Sequence, residues 1–385
     1  MSGHLELPDF ALETYFSKWE FKARHHLTAS DAESMSVSEL LDLGTEDDRK
    51  AYENLHLGYI PTWGTEKLRC AVASTYTHLS EDNILAFAGA GEALFWAMQL
   101  FISPGDHVIV NVPNYQSVES VPIATGVQVE GLPLWSDDSL SNPWTLDLDK
   151  FKSLLRPNTK LVSVNFPNNP TGFVPDPQTW QEFNTLCHER GIVLISDEVY
   201  RGVELDPSRT LPAAASINPT ALTVSVTSKA YGLPGLRVGW VASQSKEMLQ
   251  RLERAKHYTS ICNAGPSEQL AAVALRNEGK IFARNRKIIQ RNDAALKEFI
   301  SNYPDFLDYA TPDGGCVAFP RWLGTGTASD FCTRAVEEDG VLLLPASVYR
   351  SDLADVPTDR LRIGIGRRNV PESLNALAEH LSKNY

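Results

Sequence analysis

The sequence predicts an α/β fold, with a large domain on a mostly parallel seven-stranded sheet and a small α+β domain beside it. Three observations predict it. From about residue 84 to residue 245, short β-branched apolar runs alternate with helical patterns, the mark of βαβ units. Most of these runs are apolar at nearly every position, as strands covered on both faces must be. After a helical stretch at about 267–303, strand-like runs return, now separated by helices.

Taken in order, the strands of the large domain fall at 84–88, 107–111, 127–132, 160–166, 192–196, 221–226 and 236–242. Helical patterns at 92–100 and 177–190, free of internal glycine, fill two of the gaps. The connection 227–235 is too short for a crossover helix, so 236–242 should run antiparallel to its neighbours. Further strands are expected at 316–320, 340–344 and 360–365. The large domain is read as 46–285. The small domain takes 1–45 and 286–385, and the N-terminal segment is expected to cover the site.

At 385 residues the chain can hold one large domain and a smaller one. A net charge of −13 argues against a nucleic-acid or anionic-membrane partner. No apolar run reaches membrane-spanning length, and the start, MSGHLELPDF, lacks the basic and apolar regions of a signal peptide. The five cysteines are scattered with no CxxC pair, which predicts reduced thiols in a cytoplasm and no disulfide frame or metal site.

In an open parallel sheet, ligands bind beyond the C-terminal strand ends, so the residues just after each strand carry the information. Gly89-Ala90-Gly91-Glu92 opens a helix, and free N–H groups there favour an anion. Tyr115, after the second strand, could stack on a flat ring. Asn169, in Pro167-Asn168-Asn169-Pro170-Thr171-Gly172, could donate to a phenolic oxygen. Asp197, in Asp197-Glu198-Val199-Tyr200, could hold a pyridine nitrogen protonated. Lys229 follows Ser228 and precedes Arg237 by eight residues. Each residue alone has an ordinary explanation: a tight turn, a half-buried tyrosine, a helix cap or a solvated lysine. Together they supply an imine-forming amine, a ring clamp and a phosphate cup, which is the equipment for pyridoxal phosphate.

With these motifs the chain resembles the class I/II aminotransferase superfamily of fold type I pyridoxal-phosphate enzymes, over nearly its full length. The resemblance implies an aspartate-aminotransferase-like fold. It implies Lys229 as the Schiff-base lysine, Asp197 on the ring nitrogen, Asn169 and Tyr200 on the phenolic oxygen, and Tyr115 stacked on the ring. Arg237, Ser228 and the Ala90 and Gly91 amides would hold the phosphate. Tyr59 matches a tyrosine that reaches the phosphate of the other subunit, which implies a homodimer with shared active sites. Arg362, in Arg362-Ile363-Gly364, matches the arginine that clamps the α-carboxylate of an amino-acid substrate. Two positions depart from the pattern. Val226 stands where a serine is frequent, and 89–92 lacks the usual hydroxyl, so the phosphate cup rests on amides, Ser228 and Arg237.

The shared machinery removes a Cα proton, and the rest of the pocket selects among the possible outcomes. The runs SKAYGLPGLRVGW, VNFPNNPTG and GGCVAFPR, with the segment 12–40, resemble arginine cyclases of the capreomycidine synthase and enduracididine-forming type. That implies cyclodehydration of a hydroxylated L-arginine in specialised metabolism. Glu13, Asp31 and Glu33 are then candidate partners of the guanidinium, and His26, Thr28, Ser30 and Asn169 candidate substrate contacts. The alternative is amino acid:2-oxo-acid transamination. A pyridoxal-binding transcription regulator ranks last, since the catalytic region begins too early to leave room for a helix-turn-helix domain.

Overall fold

The computed structural model describes residues 6–135 and 143–384; residues 1–5 of the expected N-terminal segment, and Tyr385, lie outside the described residues. Seven strands form one sheet: β1 (Ile84–Phe87), β2 (His107–Val112), β3 (Gln128–Pro133), β4 (Thr159–Asn165), β5 (Val193–Asp197), β6 (Ala221–Val226) and β7 (Gly239–Ala242). Their spatial order is β1-β7-β6-β5-β4-β2-β3. β7 runs antiparallel to both neighbours, and every other pairing in this sheet is parallel. The short 227–235 connection explains why β7 reverses.

Away from the edge strand β3, where Gln128 is exposed, the strands are buried on both faces, which is why most of them read as nearly continuous apolar runs. Along β2, Val108 and Val110 pack with Leu94 and Leu249 on one face, while Ile109 packs with Phe151 and Trp180 on the other. Trp180 lies on the helix Pro177–Glu189, whose N-cap Asp176 accepts from the Gln178 and Thr179 amides at 3.0 Å each. Asp176→Ala is expected to lower stability by about 1 kcal/mol, read as a lower urea midpoint with unchanged slope.

Two expectations need correcting. The strand expected at 236–242 starts only at Gly239, because Pro234–Leu236 forms a 3₁₀ turn and Arg237 sits left-handed at φ 51°. The helical stretch at 267–303 is two helices, Gly265–Arg276 and Glu278–Asn302. At the break, the Asn277 side chain donates to the Val273 carbonyl and replaces regular helix bonding.

The remaining strands are short and mix both ends of the chain. Leu361–Gly364 pairs antiparallel with Val317–Ala318 and with Leu344–Pro345. His25–His26 pairs parallel with Val341–Leu342, which brings the N-terminal segment to the C-terminal elements. The segment then crosses Gly364 so closely that a Cβ there would lie 2.1 Å from the Ala29 carbonyl oxygen, so only glycine fits. One apolar cluster runs from Ile84 and Trp240 of the sheet to Leu377 and Leu381 at the C-terminus. Among the described residues, no helix is long and apolar enough to cross a membrane.

Candidate active site

The C-terminal ends of the strands open into a cavity of about 560 Å³. Sheet register sets its floor, since Asn165 of β4 lies opposite Asp197 of β5, and Asp197 lies opposite Val224 of β6. The cavity brings together Ala90, Gly91, Tyr115, Asn169, Asp197, Tyr200, Ser228, Lys229 and Arg237 from the large sheet, with His26, Thr28 and Ser30 from the N-terminal segment.

Lys229 lines it, with Nζ donating to Ser30 Oγ at 2.8 Å. Burial pulls its pKa below the usual ammonium range, opposed by Asp31 and reinforced by Arg362. Asp197 is 6 % exposed, and burial raises its carboxyl to about 7 against the pull of the Val199 amide and Lys229. A carboxylate in that position is stabilised by any cationic partner that arrives. The Tyr200 hydroxyl is buried beside Ser30 without a well-formed bond of its own, and burial raises its pKa.

One end of the cavity suits an anion. The helix Ala90–Leu100 begins after Gly89 without a side-chain cap, so its first N–H groups are free to point outward. Ser228 Oγ is buried without a partner. Arg237 is turned onto this end by its left-handed backbone, and a Cβ on Gly89 (φ 93°) would lie 2.9 Å from Arg237 Nη2. The chain thus leaves a cradle with an orphaned hydroxyl, a guanidinium and helix amides at one end. The same cavity is lined by a buried carboxylate, an unpaired phenol and the amine. That donor set fits pyridoxal phosphate.

A covering helix, Ala11–Trp19, closes the other side. Leu12, Glu13, Phe16 and Glu20 line the cavity. Phe10 lies 4.8 Å from the Tyr115 ring, and the Tyr115 hydroxyl donates to Glu13 at 3.4 Å. Arg362 is fully buried behind the wall, and its Nη2 donates to the Thr28 carbonyl at 2.7 Å. Its Nε has no partner.

Among the expected residues, Arg362, Asp31 and Glu33 are already engaged by other groups of the chain. Asp31 is paired with Arg367, whose Nε and Nη2 reach it at 3.1 and 2.8 Å, so it is not a free partner for a substrate cation. Glu33 turns away from the cavity and accepts from the Arg368 amide. Tyr59 is 92 % exposed and does not line the cavity of its own chain. Sequence reasoning missed Phe16, Glu20, Asn165 and Arg367, which line the cavity. The i, i+3, i+7 spacing of Glu13, Phe16 and Glu20 was a usable signal for one shared helix face. It also missed Lys256, a buried lysine that donates to the Thr62 and Ala86 carbonyls and to Asn263 Oδ1. Lys256 ties the stretch just after Tyr59 to the end of β1, and burial brings its pKa down to about 8.

Fold and site define a pyridoxal-phosphate enzyme with the aspartate-aminotransferase-like fold. The chain belongs to the family "Aminotransferase class I and II", whose pattern matches residues 44–381. It is 30 % identical over 387 aligned residues to capreomycidine synthase of Streptomyces vinaceus, covering 99 % of this chain and 95 % of that one. Among solved structures, a PLP-dependent aminotransferase from Streptococcus suis superposes with a TM-score of 0.88 at 29 % identity, covering 98 % of each chain. The PLP-dependent cyclase OrfR superposes with a TM-score of 0.87 at 23 % identity over 100 % of both chains, which shows the shared fold.

Proposed function

We propose that this enzyme closes a hydroxylated L-arginine into a cyclic guanidine amino acid of the capreomycidine or enduracididine type, with loss of water. The observation that carries the reading is the inner face of the covering helix. It presents Glu13 and Phe16 to the cavity, with Glu20 at its C-cap beside them, so two carboxylates and an aromatic ring share one lining. A planar guanidinium is held by carboxylates and by an aromatic face. The similarity to capreomycidine synthase along almost the whole chain supports the same reading.

Lys229 is the proposed carrier of the cofactor and the base that takes the Cα proton on Nζ. Burial favours the neutral amine that this step needs. When bound, pyridoxal phosphate supplies the electron sink that makes the Cα proton removable. Asp197 would hold the ring nitrogen, Tyr115 the ring face, and Asn169 and Tyr200 the phenolic oxygen. Ser228, Arg237 and the Ala90 and Gly91 amides would hold the phosphate, joined by Tyr59 of the partner subunit in a homodimer. Arg362 would pair with the substrate carboxylate. His26, Thr28 and Ser30 would line the substrate side chain. In the net reaction one C–O bond breaks, one C–N bond forms and water leaves, so no oxidant or keto acid is consumed.

A second reading, amino acid:2-oxo-acid transamination, is favoured by the similarity to the Streptococcus suis aminotransferase. One experiment separates the two. Holoenzyme given hydroxy-L-arginine without a keto acid is expected to yield a product lighter by one water in mass spectrometry. Turnover that appears only with 2-oxoglutarate would establish the second reading instead. A Glu13→Gln, Glu20→Gln double variant is expected to raise KM for the cationic substrate by about tenfold or more, with KM for a neutral amino acid unchanged.

A further inference from the structure

Tyr349 ends the short helix Ala346–Tyr349 and is 5 % exposed. Its hydroxyl lies between Arg362 and Asn169. It accepts from Arg362 Nη1 and donates to Asn169 Oδ1 at 2.9 Å. Arg362 Nη1 also donates to Asn169 Oδ1, at 3.0 Å, and closes a triangle of hydrogen bonds. The strand pairing behind the triangle is fixed, since Arg362 lies opposite Leu344, just before this helix.

The triangle decides which way the Asn169 amide faces. An oxygen that receives two donors must point at them, so Nδ2 is the end left for the cavity that Asn169 lines. The same hydroxyl steadies the guanidinium. Arg362 is held at Nη2 by the Thr28 carbonyl and at Nη1 by Tyr349 and Asn169, while Nε stays without a partner. A phenylalanine would keep the ring packing against Phe319 and the apolar cluster with Leu12 and Phe16. It would lose only the oxygen that joins the two polar groups.

We propose that Tyr349 is a positioning residue that links carboxylate recognition at Arg362 to the hydrogen bond Asn169 gives the cofactor's phenolic oxygen. The inference rests on the roles proposed above for Arg362 and Asn169. It does not depend on whether the reaction is cyclisation or transamination.

The consequence can be read without turnover. A donor on the phenolic oxygen drains its negative charge and weakens its hold on the proton of the Lys229 imine nitrogen. Loosening Asn169 therefore tightens that proton and raises the pH at which it leaves. The other charged or titratable groups acting on Lys229 are Asp31, Asp197, Arg362 and the Cys316 thiol, and removal of the Tyr349 hydroxyl changes none of them chemically.

The experiment compares holoenzyme of the parent, Tyr349→Phe and Asn169→Ala by visible absorbance against pH. Tyr349→Phe is expected to raise the midpoint by about half a pH unit, with KM for the amino acid about threefold higher. Its unfolding temperature should stay near the parent's. Asn169→Ala is expected to shift the midpoint at least as far in the same direction. If Asn169→Ala shifts it while Tyr349→Phe keeps the parental midpoint and KM, Tyr349 serves packing alone and the proposal is overturned, though the site stands. If neither variant shifts the midpoint, the role given to Asn169 fails and takes the proposal with it.

Discussion

Replacing Lys229 with alanine is expected to leave a folded protein that takes up no yellow colour as a covalent imine and turns over at least about 10⁴-fold more slowly. The variant removes at once both functions proposed for Lys229, the covalent anchor and the base. Among the described residues lining the cavity, Lys229 is the one lysine; the other basic side chains are His26, Arg237 and Arg367. Guanidinium groups do not deprotonate in proteins, so neither arginine can take over. Lys256 cannot substitute, because it does not line the cavity and its ammonium is bound to two carbonyls and Asn263. Borohydride reduction followed by peptide mapping checks the result. The parent should carry the reduced cofactor on the peptide containing Lys229, and the variant on none. A variant that still fixes colour on another lysine would defeat the assignment.

Asp197→Asn is expected to act in opposite directions on stability and activity. Burial sets the Asp197 carboxyl at about 7, against an ordinary 3.8. An acid whose folded pKa is raised binds its proton more tightly in the folded state. Its contribution to stability is full below the unfolded value and is lost as pH climbs through the folded value. Cofactor-free parent should therefore lose stability between about pH 4 and pH 8, as the buried carboxyl ionises. The separation of the two values sets a ceiling of about 4 kcal/mol, and relaxation around the charge brings the expected loss to about 2 kcal/mol. Asparagine does not ionise. Apo-Asp197→Asn should unfold about 2–3 °C higher than apo-parent at about pH 8, with the gap closing near pH 4. With cofactor bound the order should reverse in function. The amide cannot hold a ring proton by charge, and turnover should fall by about 10²-fold or more. Thermal unfolding across pH with and without cofactor measures both effects. Apo-variant no more stable than apo-parent at the alkaline end would show that Asp197 is not a strained carboxylate.

These expectations come from residues that local sequence could place. Asn169, Asp197 and Lys229 each lie at or just after a strand's end, and a parallel sheet delivers such positions to one edge. Their convergence therefore required only the strand assignments, and the apolar runs supplied those. Arg237 was found as a residue but misplaced as part of a strand, because its left-handed backbone arises from the turn at Pro234–Leu236 and not from strand propensity. Asp31 was found as an acid near the entrance, yet its availability depended on Arg367, more than three hundred residues away.

What the chain alone determined was the α/β class, the succession and sense of the seven strands, and the residues at their C-terminal ends. Each of these is encoded within a short window by periodicity or turn chemistry. The folded molecule decided which polar groups are already satisfied and which remain open. Arg367 takes Asp31, Tyr349 joins Arg362 to Asn169, and the covering helix with its C-cap brings Glu13, Phe16 and Glu20 to the cavity. Such pairings are set by burial and by contacts between distant segments, and no short window of sequence contains both partners.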